Sequence, residues 1–175
     1  MKTSSETDPV EFAGARLLKL VHDKTAALSC DDIDKSRILE LACRLIAVNS
    51  SIIIELVGNL VKTTHKELDH TDVAADDVHR LALGGIAMFA EELASLLLED
   101  ATRTIIIKVK IPAIVSKYRR ADGTVEEGDA VKVVDEVRET CARFGITVET
   151  LMVMRDKLVR GRELQPTHEA PATKQ

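Results

Sequence analysis

Two acid–histidine pairs with helical spacing are the residues in this chain best suited to hold a metal ion. Glu67 and His70 lie three apart, Asp76 and His79 repeat that spacing with a shorter acid, and His65 stands nearby. Residues three apart sit one above the other on a helix, so both side chains can reach one ion. Di-iron bundles use a Glu and a His in this arrangement, together with further carboxylates from facing helices. Here the pairs fall in and just after a polar stretch, residues 63–77, where Asp and Thr ordinarily cap helices and His is solvated. The expected reading is therefore a polar connection without a cofactor. Metal binding by His65, Glu67, His70, Asp76 and His79 is the alternative.

Other chemistry finds less material. Gly-x-Ser-x-Gly and His-Glu-x-x-His do not occur, and Gly84-Gly85 has neither dinucleotide-binding nor P-loop spacing. Cys30, Cys43 and Cys141 are odd in number and far apart, with no Cys-x-x-Cys, and each has apolar neighbours. Small thiols in a reducing compartment are expected. A non-enzymatic protein follows as the expectation.

The third group is basic. Arg103, Lys108, Lys110, Lys117, Arg119 and Arg120 lie within eighteen residues, and Lys and Arg in such numbers can neutralise phosphates. They accompany Thr104-Ile105-Ile106-Ile107-Lys108-Val109-Lys110-Ile111, closed by Pro112, whose alternation predicts a half-buried strand. Further on, Cys141 sits four residues before Gly145, an apolar residue follows the glycine, and Leu151 comes later. That spacing resembles a helix-turn-helix: the small residue permits a close crossing and the glycine supplies positive φ.

Taken with the strand, the stretch also resembles a ribbon-helix-helix unit. Residues 104–112 correspond to the ribbon with its closing proline, and Gly145-Ile146-Thr147 to the turn. The resemblance covers about a third of the chain and implies an insertion around residues 118–128. It implies a dimer that lays its strands in the major groove of double-stranded DNA, with Ile106, Lys108 and Lys110 facing the DNA. No family is suggested by residues 1–102.

Charge divides the chain. Residues 1–102 carry 10 Lys and Arg against 18 Asp and Glu, a balance of −8; residues 103–175 carry 14 against 11, a balance of +3, which together give the net −5. An acidic front and a mildly basic back point to two jobs. Aromatics are three Phe and one Tyr, with no Trp, which argues against base stacking on single strands.

The elements that would position these residues are mostly helical. Asp8-Pro9 reads as a cap and first turn for a helix to about Leu28. Asp31 or Asp32 opens the next, with Ile38, Leu41, Ala42, Leu45, Ile52, Leu56 and Leu60 as its apolar stripe and a break near Asn49-Ser50-Ser51 as an alternative. Thr71 or Asp72 caps a third, striped by Val78, Ala82, Ile86, Phe89, Leu93 and Leu96. Asp122-Gly123 marks a turn, Gly128-Asp129 opens a helix ending at Gly145, and Thr147 opens a last one to Gly161.

The expected fold class is thus mainly α: an acidic helical bundle over residues 8–102, then a small strand-helix-helix (α+β) module over 103–162, then a disordered tail over 163–175. The apolar runs 45–61 and 81–98 contain Asn49, Glu55, Glu91 and Glu92, which favours a soluble core over a membrane span. Their excess of apolar faces predicts a homodimer. The start is polar and lacks the apolar segment of a secretory signal, so a cytoplasmic protein is expected. Two roles fit: a dimeric DNA-binding regulator or accessory protein whose acidic bundle dimerises or binds a partner, or a helical adaptor acting only through protein–protein contacts, with Met152, Val153 and the strand edge 105–111 as its interface.

Overall fold

The computed structural model describes residues 8–69, 71 and 73–149. All regular structure among them is helical apart from one isolated antiparallel bridge between Arg119 and Val125. The chain divides into two compact units, one up to Pro112 and one from Ala113 onward.

In the first unit, α1 (Pro9–Ala26) starts where the sequence predicts. Asp8 Oδ1 accepts the Val10 N–H at 2.8 Å, and Pro9 occupies the first turn, where its missing N–H costs nothing. The helix buries Ala13, Leu17, Val21 and Thr25, four residues apart. α2 (Asp32–Val48) is capped by Asp31, which accepts the Asp34 N–H at 2.8 Å. The stripe read as one long helix breaks at Asn49. Its Nδ2 donates to the Leu45 carbonyl at 2.7 Å, while its own carbonyl accepts from Ile53. Asn and Ser offer the backbone such local bonds in place of helix continuation. α3 (Ser50–Leu68) leaves at 65° to α2.

The helix at the centre is α4 (Ala75–Ile105). Its cap is Ala74, with no side-chain bond, rather than Thr71; Asp72 lies outside the described residues. Val78, Ala82, Ile86, Ala90, Ala94, Leu98, Thr102 and Ile106 are all buried, each four residues after the last. Four residues are more than one turn, so this stripe advances by about 40° per step around the helix. Different neighbours therefore cover different stretches. Ile86 packs with Ala13 of α1 and Val57 of α3. Alanines at 82, 90 and 94 let neighbouring helices come close.

The expected strand over 104–111 is a helix. α4 continues into a π turn (Ile106–Lys110) and then α5 (Ile111–Tyr118). Alternating β-branched residues favour a strand only where a sheet receives them. Here they extend a helix that already runs from Ala75, and each added residue gains a hydrogen bond without a new nucleus. Ile105 and Ile106 are both buried, as neighbours on one helix side can be and as opposite strand faces sharing one core cannot. The wide turn has a local cause. Pro112 has no N–H, and its ring would collide with the carbonyl four residues back, that of Lys108. The turn before it opens so that the Ile111 N–H reaches the Ile106 carbonyl.

In the second unit, α6 (Glu127–Arg143) follows a tight turn. Gly123 has φ +85°, and Asp122 Oδ1 accepts from the Thr124 N–H and hydroxyl at 2.9 and 2.7 Å. The helix begins at Glu127, one residue before the expected Gly128-Asp129 start. Its end matches the sequence reading. Gly145 has φ +68°, its N–H bonds the Ala142 carbonyl, and the Ile146 N–H bonds the Cys141 carbonyl at 3.0 Å. This double closure satisfies the last carbonyls, with Ile146 and Cys141 both buried. All but the start of the helix expected from Thr147 to Gly161, and the tail 163–175, lie outside the described residues.

Candidate interaction surface

The expected site residues do not converge. His65 and Glu67 are exposed on the last turns of α3, Asp76 is exposed and His79 half-buried at the start of α4, and His70 lies outside the described residues. Among the described residues, no three His, Cys, Asp or Glu side chains gather as metal ligands would.

Four of the six basic residues meet carboxylates: Arg103 with Glu99, Lys110 with Asp34, Lys117 with Glu136, and Arg120 with Glu126. Lys108 and Arg119 are exposed. Arg103, Lys108 and Lys110 belong to the first unit, and Lys117, Arg119 and Arg120 to the second. The Lys117 ammonium, with the Tyr118 hydroxyl, holds the Glu136 carboxyl below its ordinary range. The ribbon that would carry Lys108 and Lys110 into a DNA groove is absent, because these residues sit on the π turn.

The first unit instead presents an apolar groove between α3 and α4. Leu56, Asn59, Leu60 and Thr63 form one wall; Gly85, Met88, Phe89 and Glu92 form the other. Helical spacing brings these residues together. On α3, 56, 59, 60 and 63 recur at three and four; on α4, 85, 88, 89 and 92 do the same. The walls come close at Gly85, where a Cβ would touch Leu60 at 3.5 Å.

Met88 is 77% exposed, an extreme value for an apolar side chain in the middle of a 31-residue helix. It lines a second, more polar groove with Arg16, Glu91, Glu92 and Ser95, so it stands as a ridge between two depressions. Leu56 is 46% exposed, and Ile52, Leu81 and Leu96 extend the apolar surface along both helices. Large apolar patches of this kind mark interaction sites.

The sequence reading placed Leu56 and Leu96 on inward stripes and passed over Met88. The missed signal is a second set of apolar positions on α4, Leu81, Met88 and Leu96, seven and eight apart beside the buried one.

By length and composition the continuous helix 75–118 could cross a membrane, and only 28% of its most apolar 18-residue window is buried. Glu91 and Glu92 sit in the middle of the apolar run, where a charge is costly in lipid. Compared with known proteins, the chain matches no family model, no curated protein and no solved structure.

Proposed function

We propose that this protein is a helical assembly protein, acting by presenting the α3–α4 groove to another folded surface. The observation that carries the reading is Met88, exposed as an apolar ridge beside a groove walled by Leu56, Leu60 and Phe89. Covering such side chains is favourable by about 25 cal/mol per Å2. Proteins keep them exposed where a partner removes them from water. The same reading places the chain in the cytoplasm, with Cys30, Cys43 and Cys141 as thiols. A photo-reactive amino acid at position 88 tests it in living cells: adducts to protein are expected, and their absence rejects the reading.

A second reading is DNA binding by the second unit. The turn at Gly145, with its left-handed glycine and buried Ile146, favours it, since a helix-turn-helix needs that corner. Fluorescence anisotropy of mixed-sequence duplex DNA separates the two. Binding at low salt that weakens steeply by about 0.2 M would show phosphate neutralisation; no binding at low salt retires it. Arg119→Glu is the variant to use, because this residue belongs to the second unit and is exposed.

A further inference from the structure

We propose that residues 150–162 of this chain lie back along the exposed side of α6, antiparallel to it, with Val131 and Val134 as their seat. This contact lies within the second unit and is independent of the α3–α4 groove.

The exposed side of α6 is the first argument. Val133, Val137 and Cys141 face inward at a spacing of four, with Cys141 buried and both valines half-buried. Beside them Glu127, Val131, Val134, Arg138 and Ala142 recur at three and four, so they share a second stripe. All five are exposed, Val131 by 63% and Val134 by 53%.

The course of the chain is the second. It turns at Gly145, and a new helix has begun by Val148 and Glu149. Glu149 stands near the exposed stripe of α6. Its carboxyl is held below the ordinary range by its own N–H and the Thr147 hydroxyl, and the Arg138 guanidinium adds to them. From Arg138 back to Glu127, α6 covers about 17 Å, and a helix from Glu149 to Arg162 covers about 20 Å. The segment is therefore long enough to line the whole stripe. A joint of four residues, 144–147, suits an antiparallel hairpin or a helix-turn-helix crossing at about 90–120°. The crossing would carry the segment away from α6 and leave Val131 and Val134 in water.

Composition and charge favour the hairpin. Residues 151–159, Leu-Met-Val-Met-Arg-Asp-Lys-Leu-Val, hold six apolar side chains in nine. That is more than one helical stripe can carry, so the segment needs cover on more than one side. Residues 126–139 carry two Lys and Arg against six Asp and Glu, a balance of −4; residues 150–162 carry four against one, a balance of +3. Antiparallel packing sets Arg160 and Arg162 toward Glu127 and Asp129 in the first turn of α6. The basic group then faces carboxylates instead of phosphates.

The test places a photo-reactive amino acid at position 131 of the full-length chain, with position 139 as the control. Glu139 is exposed and lies outside the stripe, on another side of α6. Unlabelled and nitrogen-15-labelled protein are mixed, irradiated and digested, and the joined peptides are sequenced by mass spectrometry. Junctions from position 131 to residues 150–162, always light to light or heavy to heavy, are expected, with none from position 139. Light-to-heavy junctions would give the seat to a second copy and overturn the proposal, as would junctions only to other residues or none at all. Amide hydrogen exchange in the full chain gives a second measurement. Val131→Asp with Val134→Asp changes two exposed positions and should speed exchange over residues 151–159 at least about tenfold. Equal rates in variant and wild type overturn the proposal.

Discussion

Lys110, on the widened turn between α4 and α5, forms an ion pair with Asp34 in the first turn of α2, and the Asp34 side chain is only 3% exposed. One carboxylate oxygen takes the ammonium. The other carries no hydrogen bond, with Arg37 Nη1 at 3.8 Å. The pair ties the start of α2 to the far end of the central helix.

Removing one partner leaves a buried charge unmatched. Lys110→Met should destabilise the first unit by about 3 kcal/mol, at the lower end for a buried pair because Lys110 keeps some exposure. Adding Asp34→Leu should recover most of that loss, since the charge is removed with its partner. Urea denaturation checks both, and a single variant as stable as the wild type would show that the pair contributes nothing. For the same reason Lys110 is a poor position at which to test DNA binding: its loss acts on the fold first.

The cap of α2 makes a prediction about pH. The Asp34 N–H bonded to Asp31 holds that carboxyl below its ordinary range. A depressed carboxyl contributes stability that is complete above its unfolded value, about 3.9, and is lost as pH falls through the folded value. Asn caps a helix about as well as Asp but does not titrate. Asp31→Asn should therefore leave the denaturation midpoint nearly unchanged at pH 7 and flatten its decline below about pH 4. An equally steep acid decline in the variant would count against the cap as its source.

Two glycines should respond with opposite signs. At Gly84 an added Cβ meets nothing within 4 Å and φ is helical, so Gly84→Ala should stabilise α4 by about 0.5–1 kcal/mol. At Gly145 φ is +68°, and Gly145→Ala should cost about 1–2 kcal/mol in a left-handed backbone. Thermal unfolding followed by circular dichroism checks both. A stabilising Gly145→Ala would contradict the helix end described above.

Much of this fold is legible in the sequence because helix ends are written in short-range chemistry. Asp8-Pro9, Asp31, Asp122-Gly123 and Gly145 each do what their residue types imply. The first half of the α4 stripe, Val78, Ala82 and Ile86, is also buried as its spacing of four implies, whereas Leu96 at its end is exposed.

The 104–111 segment reads as a strand in isolation because eight residues of Thr, Ile, Val and Lys carry no record of what precedes them. Alternation measures local preference, whereas the helix arriving from Ala75 decides the outcome. Pro112, read as a strand terminator, instead accounts for a wide helical turn. The groove escaped for a different reason. Which of two apolar stripes on α4 faces the bundle depends on where α1, α2 and α3 lie, and no periodicity states that. The carboxylates that meet Arg103, Lys110, Lys117 and Arg120 divide in the same way. Those at Glu99 and Glu126 are near in sequence, whereas Asp34 and Glu136 reach their lysines only through the fold.

The most direct test of the assembly reading is photo-cross-linking in intact cells from position 88, with position 19 as the control. Met88 is the apolar ridge of the groove, whereas Lys19 is an exposed residue of α1 that lines neither depression. The account predicts discrete protein adducts from position 88 and none of the same mass from position 19. Equal labelling from both positions, or none from position 88, would contradict it.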